Sequence, residues 1–222
     1  MNSSMMMELS SSSLLRLNSS RSAFRTPTGR ARSMVVVART VKPDISLADV
    51  KQGPKIGSGN FGDVYEGAVK GQRVILKAKK TANSDRADRF FNAELGICRR
   101  LKGCSGVPDF MGVAGADVYL VWKYEGTRTL EDFLKSRNCL GDLASELGVR
   151  GDKAAVKALA KRLLESIRAI HKAGCVHRDV KPDNVLIAKG GGGVFGGGGK
   201  AKVKMIDLGG VADLKTGLNY DE

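Results

Sequence analysis

The sequence predicts an α+β fold in which a small sheet-rich lobe precedes a helical one. Three observations carry this. Five short β-type runs separated by glycine-containing turns lie between residues 51 and 123. One stretch of helical periodicity interrupts them after the third run, and helical periodicity dominates beyond residue 130. At 222 residues and 42% apolar content the chain can bury one sizeable core or two lobes, and its 27% of charged residues is that of a soluble globular protein.

Residues 1–40 differ in kind from the rest. They hold ten serines, six arginines, five of the seven methionines, no lysine and the single acid Glu8. A serine- and arginine-rich, acid-poor amino terminus is the composition of an organelle transit peptide, expected to be disordered. The run Met34–Ala38 followed by Arg39 places processing nearby. The abundance of serine favours a chloroplast address, in the stroma or on the stromal face of the thylakoid, over a mitochondrial one. This segment carries +5 of the formal charge of +14, leaving +9 for residues 41–222. A basic body fits nucleic acid, anionic membrane, acidic substrates or simply a solvated surface. Aromatic residues do not interleave with the lysines, so no nucleic acid is expected. No run of 18 apolar residues occurs, which predicts no transmembrane segment and leaves peripheral membrane contact open. Cys98, Cys104, Cys139 and Cys175 show no C-x-x-C spacing and read as free thiols, with redox sensing as the lesser alternative.

The globular elements follow in order. Lys51–Ile56, Val64–Val69 and Arg73–Lys79 read as strands. Asp85–Leu101 reads as a helix, with Phe90, Glu94, Ile97 and Leu101 in one stripe. Pro108–Val113 and Asp117–Lys123 complete five strands, and Leu130–Arg137 is a short helix. Asp152–Ala173 is the clearest helix, with Val156, Leu159, Leu163, Ile167 and Ile170 on its expected inner face and Gly174 as a left-handed stop. Strands Val185–Ala188 and Val203–Ile206 flank residues 189–200, a glycine-rich hairpin insertion containing eight glycines.

Four motifs carry chemistry. Gly57-Ser58-Gly59-Asn60-Phe61-Gly62-Asp63-Val64 is a G-x-G-x-x-G-x-V pattern between two strands, where missing β-carbons let backbone N–H groups approach phosphates. The strand after it argues against a dinucleotide fold, which needs a helix there. Lys77 ends the apolar strand thirteen residues past Val64, and Glu94, on the inward face of the next helix, requires a partner that Lys77 supplies. His177-Arg178-Asp179-Val180-Lys181-Pro182-Asp183-Asn184 follows the long helix as H-R-D-x-x-x-x-N, and Asp207-Leu208-Gly209 comes 23 residues after Asn184.

In this order, these motifs resemble those of a protein kinase, whose two-lobe fold has a five-stranded N-lobe sheet with one helix and a helical C-lobe. The resemblance predicts an N-lobe over 41–123, then a hinge and incomplete C-lobe over 124–222. Tyr119–Gly126, Ile206–Gly209, Ala212–Leu214 and Gly217–Tyr220 are similar to the chloroplast state-transition kinases that phosphorylate thylakoid proteins. That family carries a membrane-anchoring segment ahead of the kinase domain, and none is visible here, so a stromal relative and a thylakoid-anchored one both stay open.

The resemblance implies ATP and Mg²⁺ as cofactors and protein hydroxyls as acceptors. It places Gly57, Gly59 and Gly62 over the ATP phosphates and Lys77, held by Glu94, on the α/β oxygens. Asp179 orients the substrate hydroxyl, and Lys181, the pattern of serine/threonine kinases, neutralises the γ-phosphoryl. Asn184 and Asp207 hold the metal. Adenine falls between Val64 and Leu186, bonded to the backbone of Lys123 and Glu125, with Trp122 as gatekeeper and Ile75 narrowing the rear pocket. Leu208 stands where the D-F-G motif has phenylalanine. Arg178 implies control by activation-loop phosphorylation. No A-P-E motif follows before Glu222, so the expectation is a kinase continuing beyond this sequence; a truncated nucleotide- or partner-binding module without catalysis is the alternative.

Overall fold

The computed structural model describes residues 42–59, 62–79, 85–115, 118–188 and 201–215. The expected transit peptide, Asn60 and Phe61, the glycine-rich tract and the Gly217–Tyr220 stretch lie outside the described residues.

Five strands form one antiparallel sheet in the order β1-β2-β3-β5-β4: β1 Val50–Gly59, β2 Gly62–Val69, β3 Gln72–Ala78, β4 Phe110–Ala114 and β5 Tyr119–Lys123. The β2–β3 turn is Lys70-Gly71, both at positive φ (50° and 83°), as a two-residue hairpin matched to sheet twist requires. Alternation along β3 sends Val74 and Leu76 to one face, where they bury completely with Val69, Ala114 and Val121. Ile75 and Lys77 take the other face. Ahead of β1, the Asp44 and Ile45 N–H groups donate to the Val113 carbonyl, while the Asp44 carboxylate accepts the Val113 N–H at 3.0 Å.

Helix α1, Asp85–Arg100, packs under the sheet. Glu94, Ile97 and the following Leu101 are buried as expected, and the stripe widens to take in Phe91, Leu95 and Cys98, while Phe90 is only half-buried. Helix α2 is shorter than expected, Leu130–Leu134, and the Asp132 carboxylate accepts the Thr129 N–H at its start. A further helix, α3 Cys139–Leu147, has no counterpart among the expected elements; it buries Leu143, Ala144 and Leu147 and ends on Gly148 at φ 67°.

Helix α4 spans Asp152–Lys172, and Gly174 at φ 80° follows it as expected. Its buried positions are Ala155, Ser166 and Ile170, with Leu159 and Leu163 partly covered; Val156, expected inside, is 52% exposed. The inner face also carries polar groups. Ser166 Oγ donates to the Val203 carbonyl, and the Arg162 guanidinium donates to the carbonyls of Ala201 and Leu147. Strands β7 Val185–Ala188 and β8 Lys202–Met205 pair antiparallel, and β6 Cys175–Val176 pairs with β9 Ala212–Asp213. A single apolar cluster runs from Phe91, Leu101 and Phe110 to Phe133, Ile170, Ile187 and Met205, joining the sheet lobe to the helical one.

Candidate active site

The two lobes enclose a cleft of about 480 Å³. Gly57, Gly59, Gly62, Val64, Lys77, Glu94, Lys123, Glu125, Asn184, Leu186 and Asp207 all line it, as do Ile75 and Trp122. Of the expected site residues, only Asp179 and Lys181 are not on its wall.

The glycine motif is mostly strand. Gly59 pairs with Gly62 at the hairpin end, and β1 and β2 carry the other motif residues. Gly62 has φ 152°, and a β-carbon there would lie 2.4 Å from the Ala78 carbonyl oxygen. Gly57 and Gly59 have room: a β-carbon on Gly57 would meet Val64 at 3.7 Å, and on Gly59 nothing within 4 Å.

Behind the hairpin, Lys77 Nζ lies 2.7 Å from Glu94 Oε1 and 3.2 Å from Asp207 Oδ1, with Lys77 8% and Glu94 2% exposed. Burial works against the Lys77 ammonium, but the Glu94 and Asp207 carboxylates outweigh it and raise its pKa above the ordinary lysine value. Burial pushes the Glu94 carboxyl up, with Lys77 opposing.

The loop after β6 supplies the second group. Lys181 Nζ donates to Asp179 Oδ2 at 2.7 Å, and Asn184 Nδ2 donates to the same oxygen at 2.8 Å and to the Asp179 carbonyl at 2.9 Å. The bond from Lys181 holds the Asp179 carboxyl below the usual aspartate value, so it is ionised at neutral pH. Asn184 thereby links Asp179, at the cleft mouth, to the wall. Arg178 and Asp207 adopt positive φ of 65° and 58°; among the described non-glycine residues only Lys70 shares this. Backbone held in this region concentrates at functional sites. Arg178 Nε donates to the Gly210 carbonyl at 2.6 Å, and the buried His177 Nε2 meets the Ile206 carbonyl at 3.0 Å. These two bonds tie the start of the loop to the segment carrying Asp207, and the Ile206 N–H, donating to the Asn184 carbonyl at 2.9 Å, ties its end.

At the rear, Lys123 donates its N–H to the Asp109 carbonyl at 2.9 Å, and Trp122 packs edge-on to Phe110 with centroids 5.7 Å apart. One feature escapes sequence reasoning. Lys204 is 4% exposed and its ammonium lies 2.7 Å from the Glu125 carboxylate. The alternation Lys202-Val203-Lys204-Met205 reads as lysines facing water, whereas Val203, Lys204 and Met205 are all buried.

Residues 50–222 match the protein kinase domain family. The serine/threonine-protein kinase STN8, chloroplastic, of Arabidopsis thaliana is 31% identical over 75% of this chain and 41% of its own length. The serine/threonine-protein kinase STN7, chloroplastic, of the same plant is 27% identical over 84% of this chain and 34% of its own. This chain therefore spans well under half of either relative. Among solved structures, that of an Stt7 homolog from Micromonas algae soaked with ATP superposes with a TM-score of 0.63 at 26% identity, over 90% of this chain and 56% of that one. The five-stranded sheet, the Lys77–Glu94 pair and the loop from His177 to Asn184 are features of one family, and the chain belongs to the protein kinases.

Proposed function

We propose that this chain carries the nucleotide site and catalytic loop of an ATP-dependent serine/threonine protein kinase acting in the chloroplast. The carrying observation is the joint placement of Lys77, Glu94 and Asp207 in the cleft with Asp179, Lys181 and Asn184 at its mouth.

Adenine enters between Val64 and Leu186, against the Lys123 carbonyl and the Glu125 N–H. Gly57, Gly59 and Gly62 cover the phosphates, whose α/β oxygens meet Lys77. Residues present here fit Mg²⁺: Asp207 and Asn184 line the same wall, and because the Asn184 amide nitrogen is committed to Asp179, its amide oxygen is the atom left to coordinate. Magnesium sites beside nucleotides use one or two protein oxygens plus phosphate; among the described residues no larger His/Cys/Asp/Glu cluster exists. When bound, the ion neutralises phosphate charge.

Asp179, ionised and held by Asn184 and Lys181, accepts the hydrogen bond of a serine or threonine hydroxyl and then its proton. The hydroxyl oxygen forms a bond to the γ-phosphorus as the bond to the β–γ bridging oxygen breaks and ADP leaves. Lys181 faces the negative charge on the transferring group.

The chloroplast address rests on the composition of residues 1–40 together with the two chloroplastic relatives. Among the described residues no helix is long and apolar enough to cross a membrane. Proteins at the thylakoid surface are the proposed substrates, from the resemblance to state-transition kinases. The test uses the full-length protein in radiolabelled phosphate transfer, with Asp179→Asn as comparison. Transfer by the wild type, lost in Asp179→Asn while Mg-ATP still binds, is the expected result. Transfer retained in Asp179→Asn removes that role; binding without transfer in the wild type reduces the chain to a nucleotide-binding module.

A further inference from the structure

The buried ion pair between Lys204 and Glu125 is not required by phosphoryl transfer. Lys204 sits on β8 with 6% of its side chain exposed, and Glu125 follows β5 with 13%. The ammonium lies 2.7 Å from each carboxylate oxygen. Glu125 Oε1 also accepts the Asp109 N–H at 3.1 Å, and the Asp109 carbonyl in turn accepts the Lys123 N–H at 2.9 Å. One carboxylate therefore joins three segments: the strand leading to Asp207, the connection between the lobes and the entry to β4.

A buried pair of this kind is weak evidence for stability, because desolvation of both charges offsets their attraction and apolar replacements are often neutral or better. What it does supply is a fixed geometry. Glu125 is followed by Gly126 at φ 115°, a position with wide backbone freedom, and the carboxylate is the group that pins the segment just before it. Lys204 pairs in register with Leu186, which forms the cleft floor, so one strand pair sets both the apolar wall and the cation.

We infer that Lys204 is a positioning residue for the purine base, acting through the Glu125 carboxylate to hold the Glu125 N–H and the Lys123 carbonyl in register with Leu186. The inference rests on the reading that this cleft binds ATP. It predicts that the effect of losing the pair is carried by the base and not by the phosphates.

The experiment is calorimetric titration of the full-length protein with adenosine, ADP and Mg-ATP, for wild type, Lys204→Met, Lys204→Arg and Glu125→Gln. Lys204→Met is expected to weaken all three ligands by the same factor, about tenfold, or 1.4 kcal/mol. The KM for ATP rises in step while kcat stays within about twofold. Glu125→Gln, which keeps an acceptor for Asp109 but loses the charge, shows the same loss and serves as the readout should Lys204→Met fail to fold. Lys204→Arg restores most of the affinity. Unchanged adenosine binding in folded Lys204→Met or Glu125→Gln overturns the inference. So does a loss that grows from adenosine to ATP, which would place the action of Lys204 at Asp207. A wild type that binds none of the three ligands instead overturns the ATP reading itself.

Discussion

Glu94 Oε1 lies 2.7 Å from Lys77 Nζ in a space where the glutamate is 2% exposed, and the same ammonium reaches Asp207 at 3.2 Å. Lys77 thus has two carboxylates and Glu94 has one cation. Replacing Lys77 by methionine leaves Glu94 buried without its cation, and burial already raises its pKa. A carboxyl whose folded pKa is above its unfolded value contributes stability at low pH and loses it as pH rises through the folded pKa. Lys77→Met is therefore expected to melt lower at pH 8 than at pH 5.5, with a loss of up to about 3–5 kcal/mol when the lone carboxylate is forced to ionise. Thermal melts across that range check the sign. A flat profile means Glu94 finds another partner or turns to water. Phosphate transfer should fall by at least a hundredfold, about 2.7 kcal/mol, because the α/β oxygens lose their cation.

The three glycines of the phosphate hairpin should separate by measurement. Gly62→Ala places a β-carbon 2.4 Å from the Ala78 carbonyl at φ 152°, so the fold itself forbids it. A strained residue of this kind costs about 1–3 kcal/mol, before the displaced carbonyl is counted. Gly57→Ala and Gly59→Ala meet no such obstacle, and their melting should stay within about 0.5 kcal/mol of wild type, as for ordinary surface changes. The loss at these two positions appears in the KM for ATP, since the added methyl occupies the approach of the phosphates. Equal destabilisation by all three would show that the hairpin glycines serve the fold alone.

These residues also mark what sequence can and cannot reveal. The motif glycines, Lys77, Asp179, Asn184 and Asp207 are legible because their chemistry is written in local spacing and in the order of strand and helix signals. The burial of Phe91 in place of Phe90 on α1 and the exposure of Val156 on α4 are not legible, since inner faces here are chosen by tertiary partners. Ser166 and Arg162 bury against the carbonyls of Val203, Ala201 and Leu147, which periodicity ranks as outward positions. Helix α3 is hidden because it is nine residues long with Gly141 inside it. Lys204 is hidden because burial on both faces of β8 erases the alternation that normally exposes a lysine.

His177 should set an acid limit on stability. Its Nε2 lies 3.0 Å from the Ile206 carbonyl, which can only accept, so the neutral ring carries its proton on Nε2. Protonation would place a second N–H on Nδ1, a buried atom with no hydrogen-bond partner. Burial accordingly lowers the pKa from the ordinary 6.5, with the Ile206 carbonyl opposing. The folded state then binds fewer protons than the unfolded one below neutrality. The His177 contribution is complete above pH 6.5 and is lost as pH falls towards the folded pKa, at about 1.4 kcal/mol per unit of depression. Chemical denaturation from pH 8 to pH 5 should show this slope in the wild type. It should be smaller in His177→Gln, whose amide can still donate to Ile206; an unchanged slope would assign the acid limit to other groups.

Cys98 should report whether α1 is seated. It lies one turn beyond Glu94 on the buried face of α1 and is 1% exposed. Burial, and then the Glu94 carboxylate, push its thiol well above the ordinary value, so almost no thiolate is present at neutral pH. Cys104 and Cys139 are partly exposed. Iodoacetamide at pH 7.5, followed by peptide mass spectrometry, should label Cys139 and Cys104 and leave Cys98 unmodified in the folded protein. Lys77→Met loosens the attachment of α1 to the sheet, so its Cys98 should label faster than that of the wild type, while Cys139 labels at the same rate. Labelling of wild-type Cys98 as fast as Cys139 would mean that α1 leaves the sheet freely and that the Lys77–Glu94 contact does not hold it. Acceleration confined to the variant would tie the seating of α1 to that contact.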